Sequence, residues 1–349
     1  MDRKWLYGLT LRQLSETVAS LGLPAFTARQ IASWIYNKGV AQIEAMTDIS
    51  LRGRELLGRD HCVGRTAPSA VETSVDGTKK YLFRTSGGNH IETAYITDGD
   101  RATLCVSSQC GCRMGCRFCM TARGGFGGNL SAGEILNQIR SIPESDALTN
   151  VVYMGMGEPL DNLDAVLASL EVLTSDWGYG WSPTRITVST IGVLPVLNRL
   201  LDDSRAHVAV SLHNPFPDQR ASVMPVEKVW PVAEVVRLLR RYDFSHQRRI
   251  SFEYIMFEGF NDSPAHIREL ARLLDGLKCR INLIRFHAIP DSPFVSPSPE
   301  RMVAFRDALT AKGIITTIRA SCGEDIRAAC GLLSIRQAVG YGLSAPNRP

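Results

Sequence analysis

The feature that most restricts how this chain can fold is a change in hydrophobic period after residue 100. From there, short β-rich segments alternate with longer helical patterns. The β-rich segments are ATLCVSS, NVVYMGMG, RITVSTIG, HVAVSLHN, RISFEYIMF and RINLIRFH. Six such repeats predict an α/β fold with a parallel, barrel-like sheet. Because a full barrel has eight strands, these six and one further extended run, ITTIRAS, predict a partial, open barrel.

The first hundred residues show two other hydrophobic patterns, one helical and one strand-like. Residues 10–58 contain three amphipathic segments, LRQLSETVASLG, FTARQIASWIYNKG and MTDISLRGRELL, which predict short helices. Between residues 70 and 97 polar and apolar residues alternate, with hairpin signals at Asp76-Gly77 and Gly87-Gly88. We therefore predict a helical accessory domain over 1–62, a small antiparallel linker sheet over 63–98 and the partial barrel over 99–345.

Composition and charge are those of an ordinary globular protein. The 349 residues are 44% hydrophobic and 21% charged, and the net charge of +4 is a mild basic bias. The start, MDRKWLYGLTLRQL, has no apolar leader segment, and no later segment has the length and apolarity of a membrane span. We expect a cytoplasmic protein, in which nine cysteines favour metal or catalytic duty for some of them.

Polar residues follow most of the predicted strands. In a parallel β/α barrel the loops after the carboxyl ends of the strands build the active site. These positions hold the cysteine cluster after the first strand, Gly157-Glu158-Pro159 after the second, Ser189-Thr190 at the third, Ser211-Leu212-His213 at the fourth and His287 after the sixth. They are the candidate site residues.

Cys112, Cys116 and Cys119 form a C-x3-C-x2-C motif on the first of these loops. Three thiolates can hold three irons of a [4Fe-4S] cluster, which leaves the fourth iron open to the amine and carboxylate of S-adenosylmethionine. The alternative is a structural zinc with Cys110 or Cys105 as the fourth thiolate. The glycine-rich run at 124–128 is not part of a zinc ribbon and favours the cluster.

Several longer runs resemble the radical S-adenosylmethionine superfamily and, within it, the ribosomal RNA adenine C2 methyltransferases. These runs are CVSSQCGCRMGCRFCMT, VVYMGMGEPLDN, ITVSTIGVLPVL, VAVSLHNPF, INLIRF and EDIRAACGLL. The likeness covers nearly the whole chain. It implies methylation of adenine 2503 of 23S rRNA and of adenine 37 in some tRNAs, with a [4Fe-4S] cluster and S-adenosylmethionine as cofactors. A flavodoxin or ferredoxin is the expected electron donor, and we expect a monomer.

The resemblance also implies residue roles. Cys330 takes a methyl group from one S-adenosylmethionine, and a deoxyadenosyl radical from a second removes a hydrogen from that methyl. The resulting methylene radical adds to the adenine ring, whose C2 carries no nucleophile. Glu92 is the implied base for the C2 proton, and Cys105 is the second thiol, which releases the RNA by forming a disulfide with Cys330.

The implied contacts of S-adenosylmethionine are Gly157, Glu158, Ser189, Ser211, Leu212, His213 and His287. His287 departs from the family, which commonly has asparagine there. Without the resemblance, Cys105 and Cys330 read as packing cysteines and Glu92 as a carboxylate on a sheet surface. Cys62 and Cys279 read as packing residues. Cys110 and Cys322 have no role in the family, although a stray thiol near the site can mispair with Cys105 or Cys330.

Two groups of basic residues are candidates for RNA contact, with solvated helix faces as the alternative for the first. The N-terminal group is Lys4, Arg12, Arg29, Lys38, Arg52 and Arg54, and the group near the barrel is Arg113, Arg117, Arg123 and the run from His246 to Arg249. Two other functions stay open. C8 methylation of adenine, which confers antibiotic resistance, uses the same motifs, and a zinc-bearing RNA-binding protein is the non-catalytic alternative.

Overall fold

The computed structural model describes residues 3–244 and 248–334. The helices are α1 (Leu11–Ser20), α2 (Thr27–Ala32), α3 (Leu51–Asp60), α4 (Met120–Arg123), α5 (Ala132–Arg140), α6 (Leu163–Thr174), α7 (Leu194–Asp203), α8 (Pro217–Val223), α9 (Val232–Leu239), α10 (Pro264–Leu274) and α11 (Pro299–Thr310). His246 and Gln247 of the predicted RNA contacts, and residues 335–345 of the predicted barrel domain, lie outside the described residues.

The strands fall into one large sheet and two small pairs. They are β1 (Lys4–Trp5), β2 (His61–Cys62), β3 (Ala70–Thr73), β4 (Lys79–Arg84), β5 (His90–Asp98), β6 (Arg101–Cys105), β7 (Gln109–Gly111), β8 (Phe126–Asn129), β9 (Asn150–Tyr153), β10 (Ile186–Thr190), β11 (His207–Ser211), β12 (Ile250–Met256), β13 (Arg280–Arg285) and β14 (Ile315–Ile318).

The large sheet confirms the predicted α/β class. Its strand order is β14-β13-β12-β11-β10-β9-β6-β5-β4-β3, and the run from β6 to β14 is parallel throughout. Each of the six predicted β-rich segments contains one of these strands, and the extended run ITTIRAS supplies β14 beside β13. In residues 3–244 and 248–334 the parallel part therefore has seven strands, in place of the six predicted.

The predicted antiparallel strands continue the same sheet. β3, β4 and β5 pair in sequence through turns at Gly77 and Gly88, both with positive φ. β5 then pairs antiparallel with β6, which sets Ala94 opposite Cys105. The linker thus shares backbone hydrogen bonds with the barrel, and the first barrel strand is held between β5 and β9.

Successive side chains of the parallel strands point to opposite faces of the sheet, and the two faces have different surroundings. Residues such as Val188, Phe252 and Leu283 are fully buried and pack in the large apolar core with the surrounding helices. Their strand neighbours, among them Glu253 and Asn282, line a cavity on the other face. Because side chains alternate between the faces of a strand, one face stabilises the fold while the other is left for chemistry.

The N-terminal helices dock closely on the barrel. A Cβ added at Gly8 would lie 2.1 Å from the backbone nitrogen of Gly133 in α5, and one at Gly133 would lie 2.4 Å from the carbonyl of Tyr7. The Tyr7 hydroxyl is 2.8 Å from that of Tyr179, between α6 and β10. Backbones in such contact leave no room for side chains. None of the helices in the described part of the chain has the length and apolar character needed to span a membrane.

Candidate active site

A short antiparallel ribbon holds the loop that carries the three cysteines. β7 and β8 flank residues 112–125, and Cys112 N donates to the carbonyl of Gly125 at 2.9 Å. Gly111 has φ +83°, and a Cβ there would lie 2.0 Å from the Gly125 oxygen. Only glycine fits such a position, so the GCRMGC stretch begins where the ribbon needs a residue without a side chain.

The three thiols of the motif influence one another. Burial raises the pKa of Cys112 to about 12, with Cys119 adding to the rise, and burial together with both partners holds the pKa of Cys116 well above its usual value. The Met114 amide donates to the Cys112 sulfur. Thiols in such a setting ionise when an iron centre binds them, because bound metal replaces their protons.

This donor set fits a cluster with three protein ligands better than a tetrahedral ion. Both candidates for a fourth thiolate point elsewhere. The Cys110 thiol donates to the carbonyl of His90 at 3.3 Å, and Cys105 packs with Ala94 and Val152.

Cys119, Cys105 and Cys330 line one cavity of about 840 Å³ inside the open barrel. This volume is of the size that cofactors and nucleosides occupy. Cys105 is 7% exposed and Cys330 is half-buried, and both are free thiols. The cavity joins one cysteine of the motif to the two cysteines that the resemblance singled out.

Hydrogen bonds fasten the segment that carries Cys330 to the cysteine loop. Met120 N donates to the Gly331 carbonyl at 2.7 Å, and the Thr121 hydroxyl donates to the Leu333 carbonyl at 2.7 Å. Cys330 is therefore positioned by α4, which directly follows Cys119. The two ends of the domain, far apart in sequence, form a single site.

Glu92 is buried on β5, so the alternative of an exposed carboxylate on the sheet surface is wrong. Its Oε2 accepts from Ser334 N at 2.9 Å, and its Oε1 lies 3.4 Å from Nζ of the buried Lys80. Lys80 also donates to the Ile326 carbonyl at 2.7 Å. Burial raises the pKa of Glu92, and Lys80 opposes that rise. These contacts bring Glu92 and Lys80 against the segment that carries Cys330.

Glu158 joins two strand ends. Its carboxylate accepts from the Thr190 hydroxyl at 2.5 Å, from Ile191 N at 3.0 Å and from Leu160 N at 3.1 Å. Burial raises its pKa to about 7, although these hydrogen bonds lower it. Gly157 before it has φ +98°, and a Cβ there would lie 2.5 Å from that of Gln109. The close approach that Gly157 permits here is to the cysteine ribbon.

The remaining predicted cofactor residues lie at neighbouring strand ends. Ser189 and Ser211 are half-buried at the ends of β10 and β11, and Leu212 is fully buried. His213 is buried with its Nδ1 accepting from Ile255 N at 3.0 Å, and burial lowers its pKa to about 3. His287 lines the cavity, 3.2 Å from the Ser321 hydroxyl, and burial lowers its pKa.

Sequence reasoning missed a polar network inside the barrel. Glu253 accepts from the Asn282 side chain at 2.8 Å, and Arg319 lies 3.9 Å from its other oxygen. Arg319 follows β14 and is also 3.2 Å from the Met154 sulfur. The sequence does contain a signal for this network. A glutamate within SFEYIM and an asparagine within INLIR interrupt otherwise apolar strands, at positions that face inward.

Most of the predicted RNA-contacting residues are exposed, with one correction. Arg248 is buried and donates to the carbonyls of Ala206, Leu201 and Ser204, so it caps the end of α7 and is not available to a phosphate. Arg123 donates to the Pro290 carbonyl, and Arg113 pairs with Asp161 at 2.9 Å. Of the predicted contacts in the N-terminal module, Arg54 is half-buried and the other five are exposed: Lys4, Arg12, Arg29, Lys38 and Arg52.

Two family models match the chain. The radical SAM superfamily matches residues 106–274, and the ribosomal RNA large subunit methyltransferase N-terminal domain matches residues 5–63. A probable dual-specificity RNA methyltransferase RlmN of Phocaeicola vulgatus is 57% identical over 329 residues, covering 94% of each chain. The chain belongs to the RlmN family of radical SAM RNA methyltransferases.

Other RlmN relatives are similar over the same length. The dual-specificity RNA methyltransferase RlmN of Syntrophus aciditrophicus is 40% identical over 338 residues, which is 96% of this chain and 97% of that one. A crystal structure of a radical SAM methyltransferase from Sphaerobacter thermophilus has a TM-score of 0.87 and 42% identity, covering 95% of this chain and 99% of that one. The family uses a [4Fe-4S] cluster and S-adenosylmethionine, as the cysteine motif predicts.

Proposed function

We propose that this RlmN-family enzyme methylates C2 of adenine 2503 in 23S rRNA and of adenine 37 in some tRNAs. The observation that carries the proposal is the cavity shared by Cys119, Cys105 and Cys330. It joins a cluster ligand to two thiols in a space that can admit an unstacked base. Polar methyl transfer does not suit C2, because that carbon is electron-poor, whereas a radical route does.

In this proposal Cys112, Cys116 and Cys119 would hold the cluster, and residues at the strand ends would bind S-adenosylmethionine. The proposed contacts are Gly157, Glu158, Ser189, Ser211, Leu212, His213 and His287. When bound, the two cofactors supply a 5′-deoxyadenosyl radical. The Glu158 carboxylate already accepts three hydrogen bonds, from Leu160 N, the Thr190 hydroxyl and Ile191 N. Its proposed part is to hold the ends of β9 and β10 in place around the methionine moiety and also to accept a hydrogen bond from the amino group of that moiety.

Cys330 carries the methyl group and Cys105 releases the product. Cys330 takes a methyl from a first S-adenosylmethionine, and after hydrogen removal its methylene radical bonds to C2. The adduct radical becomes closed-shell by losing the C2 proton to Glu92 and one electron, which the oxidised cluster would accept. The Cys105 sulfur then bonds to the Cys330 sulfur while the carbon–sulfur bond breaks. The methylene carbon receives the electron pair and a proton and becomes the new methyl group, leaving a disulfide between Cys105 and Cys330.

Glu92 is the proposed general base for the C2 proton. A base of this kind works best with a pKa near the operating pH, and burial raises that of Glu92 in the required direction. The ammonium of Lys80, 3.4 Å from the Glu92 carboxylate, opposes this rise. The Ser334 amide fixes its orientation.

Anaerobic reconstitution with unmodified 23S rRNA, followed by nucleoside mass spectrometry, tests the assignment. We expect 2-methyladenosine, and a flavodoxin or ferredoxin system as reductant. The second candidate, C8 methylation, shares all of these residues and predicts 8-methyladenosine instead. Cys330→Ala is expected to abolish both products, whereas Cys62→Ala, a half-buried thiol of the N-terminal module, is the matched control.

A further inference from the structure

Besides the motif cysteine Cys119, one more thiol lies in the cavity that holds the two catalytic cysteines. Cys322 lines the same space as Cys105 and Cys330, and all three contribute to the electrostatic environment of Arg319, whose guanidinium is in the cavity wall. Cys322 is a free thiol. Apart from Cys119, the site therefore holds three free thiols near one half-buried cation, and the proposed methyl transfer uses only two of them.

The chain fold brings Cys322 toward Cys330. Ala328 N donates to the Gly323 carbonyl at 2.8 Å, which closes a short loop between the two cysteines. Gly323 N is fixed in turn by the Asp76 carboxylate at 2.8 Å, and a Cβ at Gly323 would lie 2.8 Å from that of Ala328. The backbone that follows Cys322 and the backbone that precedes Cys330 are therefore adjacent at the cavity wall.

The three thiols differ in exposure. Cys105 is 7% exposed, whereas Cys322 and Cys330 are both half-buried. A disulfide between Cys105 and Cys330 has one sulfur that a protein reductant cannot approach, and exchange requires direct access to a sulfur. A disulfide between Cys322 and Cys330 has both sulfurs in half-buried positions.

We propose that Cys322 is an exchange thiol that transfers the disulfide formed during methyl transfer from Cys105 to itself, where an external protein dithiol reduces it. The proposal rests on the proposed function, which forms the Cys105–Cys330 disulfide in each turnover. The Cys322 thiolate attacks the Cys330 sulfur, the new sulfur–sulfur bond forms, and the bond to Cys105 breaks. Cys105 leaves with the electron pair and takes up the proton that Cys322 released, so no net oxidation occurs.

Arg319 suits this exchange because it faces every sulfur that must carry negative charge. Burial raises the pKa of Cys105 to about 12, and Cys330 adds to that rise. Burial also raises the pKa of Cys322, with the Asp76 and Asp98 carboxylates adding to the rise. In both cases the Arg319 guanidinium opposes the rise. Its ion pair with Glu253 and its contact with Met154 hold it in the wall. Arg319 is thus a positioning residue for the sulfur chemistry.

Disulfide mapping on the full chain tests the proposal. The reconstituted enzyme performs one round of methylation and is quenched with N-ethylmaleimide at intervals, and peptides are identified by mass spectrometry. We expect the Cys105–Cys330 peptide to appear first and a Cys322–Cys330 peptide to replace it. With reduced thioredoxin as the only reductant of disulfides, Cys322→Ser should recover free Cys330 at least tenfold more slowly than the unchanged chain, while Cys62→Ser should match it.

A second measurement needs no catalysis. Oxidation of the iron-free chain by diamide should give a Cys322–Cys330 disulfide, in higher yield in Cys105→Ser and none in Cys322→Ser. Equal recovery by thioredoxin with and without Cys322, or no Cys322–Cys330 peptide under either condition, overturns the proposal. If the unchanged enzyme methylates RNA without ever forming a Cys105–Cys330 disulfide, the fault lies instead in the proposed function.

Discussion

The fold requires the imidazole ring of His213 to be neutral. This residue takes φ +55°, uncommon for a residue with a side chain, and its Nδ1 accepts from Ile255 N. The Phe118 ring packs edge-on at 4.9 Å. Burial lowers the pKa of His213 to about 3, and the Arg220 cation adds to the fall. Protonation would also place a donor against the Ile255 amide.

A pH-dependent loss of stability follows from this histidine. Its folded pKa lies below the unfolded value of about 6.5, so its contribution is present above pH 6.5 and is lost as pH falls toward 3. The slope is up to about 1.4 kcal/mol per pH unit. In His213→Asn, whose side-chain oxygen can accept from Ile255 N, urea unfolding between pH 7 and 5 should lack this part of the slope. Parallel curves for the two proteins would contradict the prediction.

Arg220 and Glu227 form a fully buried ion pair behind the β11 end. Arg220 also donates to the carbonyls of Ser211 and Leu212 at 2.9 Å. Arg220→Met should lower the free energy of unfolding by about 3–5 kcal/mol, because it strands the Glu227 carboxylate without a cation. The double variant with Glu227→Met should recover part of that loss in the same urea titration. A double variant less stable than Arg220→Met would show that the stranded charge is not the cause.

At the residue scale, the sequence predicts positions better than partners. Ser189, Ser211, His213 and His287 lie at the strand ends where parallel topology requires them. The spacing of residues along the sequence could not predict the contact of Glu158 with Thr190 or that of Glu92 with Lys80. Each of these contacts joins two different segments of the chain. Burial of Glu92 was missed for the same reason, since exposure depends on what covers a strand and not on its own pattern.

At the scale of elements, the β7–β8 ribbon decides whether three thiols can act together. Its strands are only three and four residues long and rich in glycine, so no periodic pattern announces them. The parallel strands, in contrast, are apolar runs bounded by turn signals and were predictable, as were the hairpins at Gly77 and Gly88. The seventh strand, β14, was visible only as an extended run because half of its residues are exposed.

Gly111→Ala tests the ribbon. The added Cβ would lie 2.0 Å from the Gly125 oxygen, so the ribbon must open and the cysteine loop must shift. Iron and sulfide content after anaerobic reconstitution should fall several-fold. Gly77→Ala is the matched control, because it has a similar φ of +85° with open space around it. Its strain of about 1 kcal/mol should leave iron content unchanged. Equal iron content in the two variants would exclude this role for the ribbon.

At the scale of the whole molecule, the helical module and the barrel share one apolar core. Leu6, Tyr7 and Tyr36 of the module are buried in the same cluster as the barrel residues. Tyr36 donates to the Leu9 carbonyl at 2.7 Å and contacts Tyr179 of the barrel with ring centroids 5.5 Å apart. The exposed cations of the module are therefore held in a fixed position relative to the cavity.

Gly133→Ala should loosen this docking. A Cβ there would meet the Tyr7 carbonyl at 2.4 Å and the Trp5 ring at 3.3 Å, so the module must move away from α5. We expect a loss of about 1–3 kcal/mol in urea unfolding, the usual cost of overpacking. Gly58→Ala in α3, with nothing within 4 Å of its added Cβ, should be neutral or stabilising, since alanine favours helix.

The same two variants connect docking to function. If the cations of the module must stand at a fixed distance from the cavity, Gly133→Ala should raise the KM for RNA more than it lowers kcat, because the reacting groups of the barrel stay in place while the RNA surface shifts. Gly58→Ala should change neither constant. A fall in kcat alone for Gly133→Ala would mean that the added methyl disturbs the barrel through α5, and that the module acts independently of its docked position.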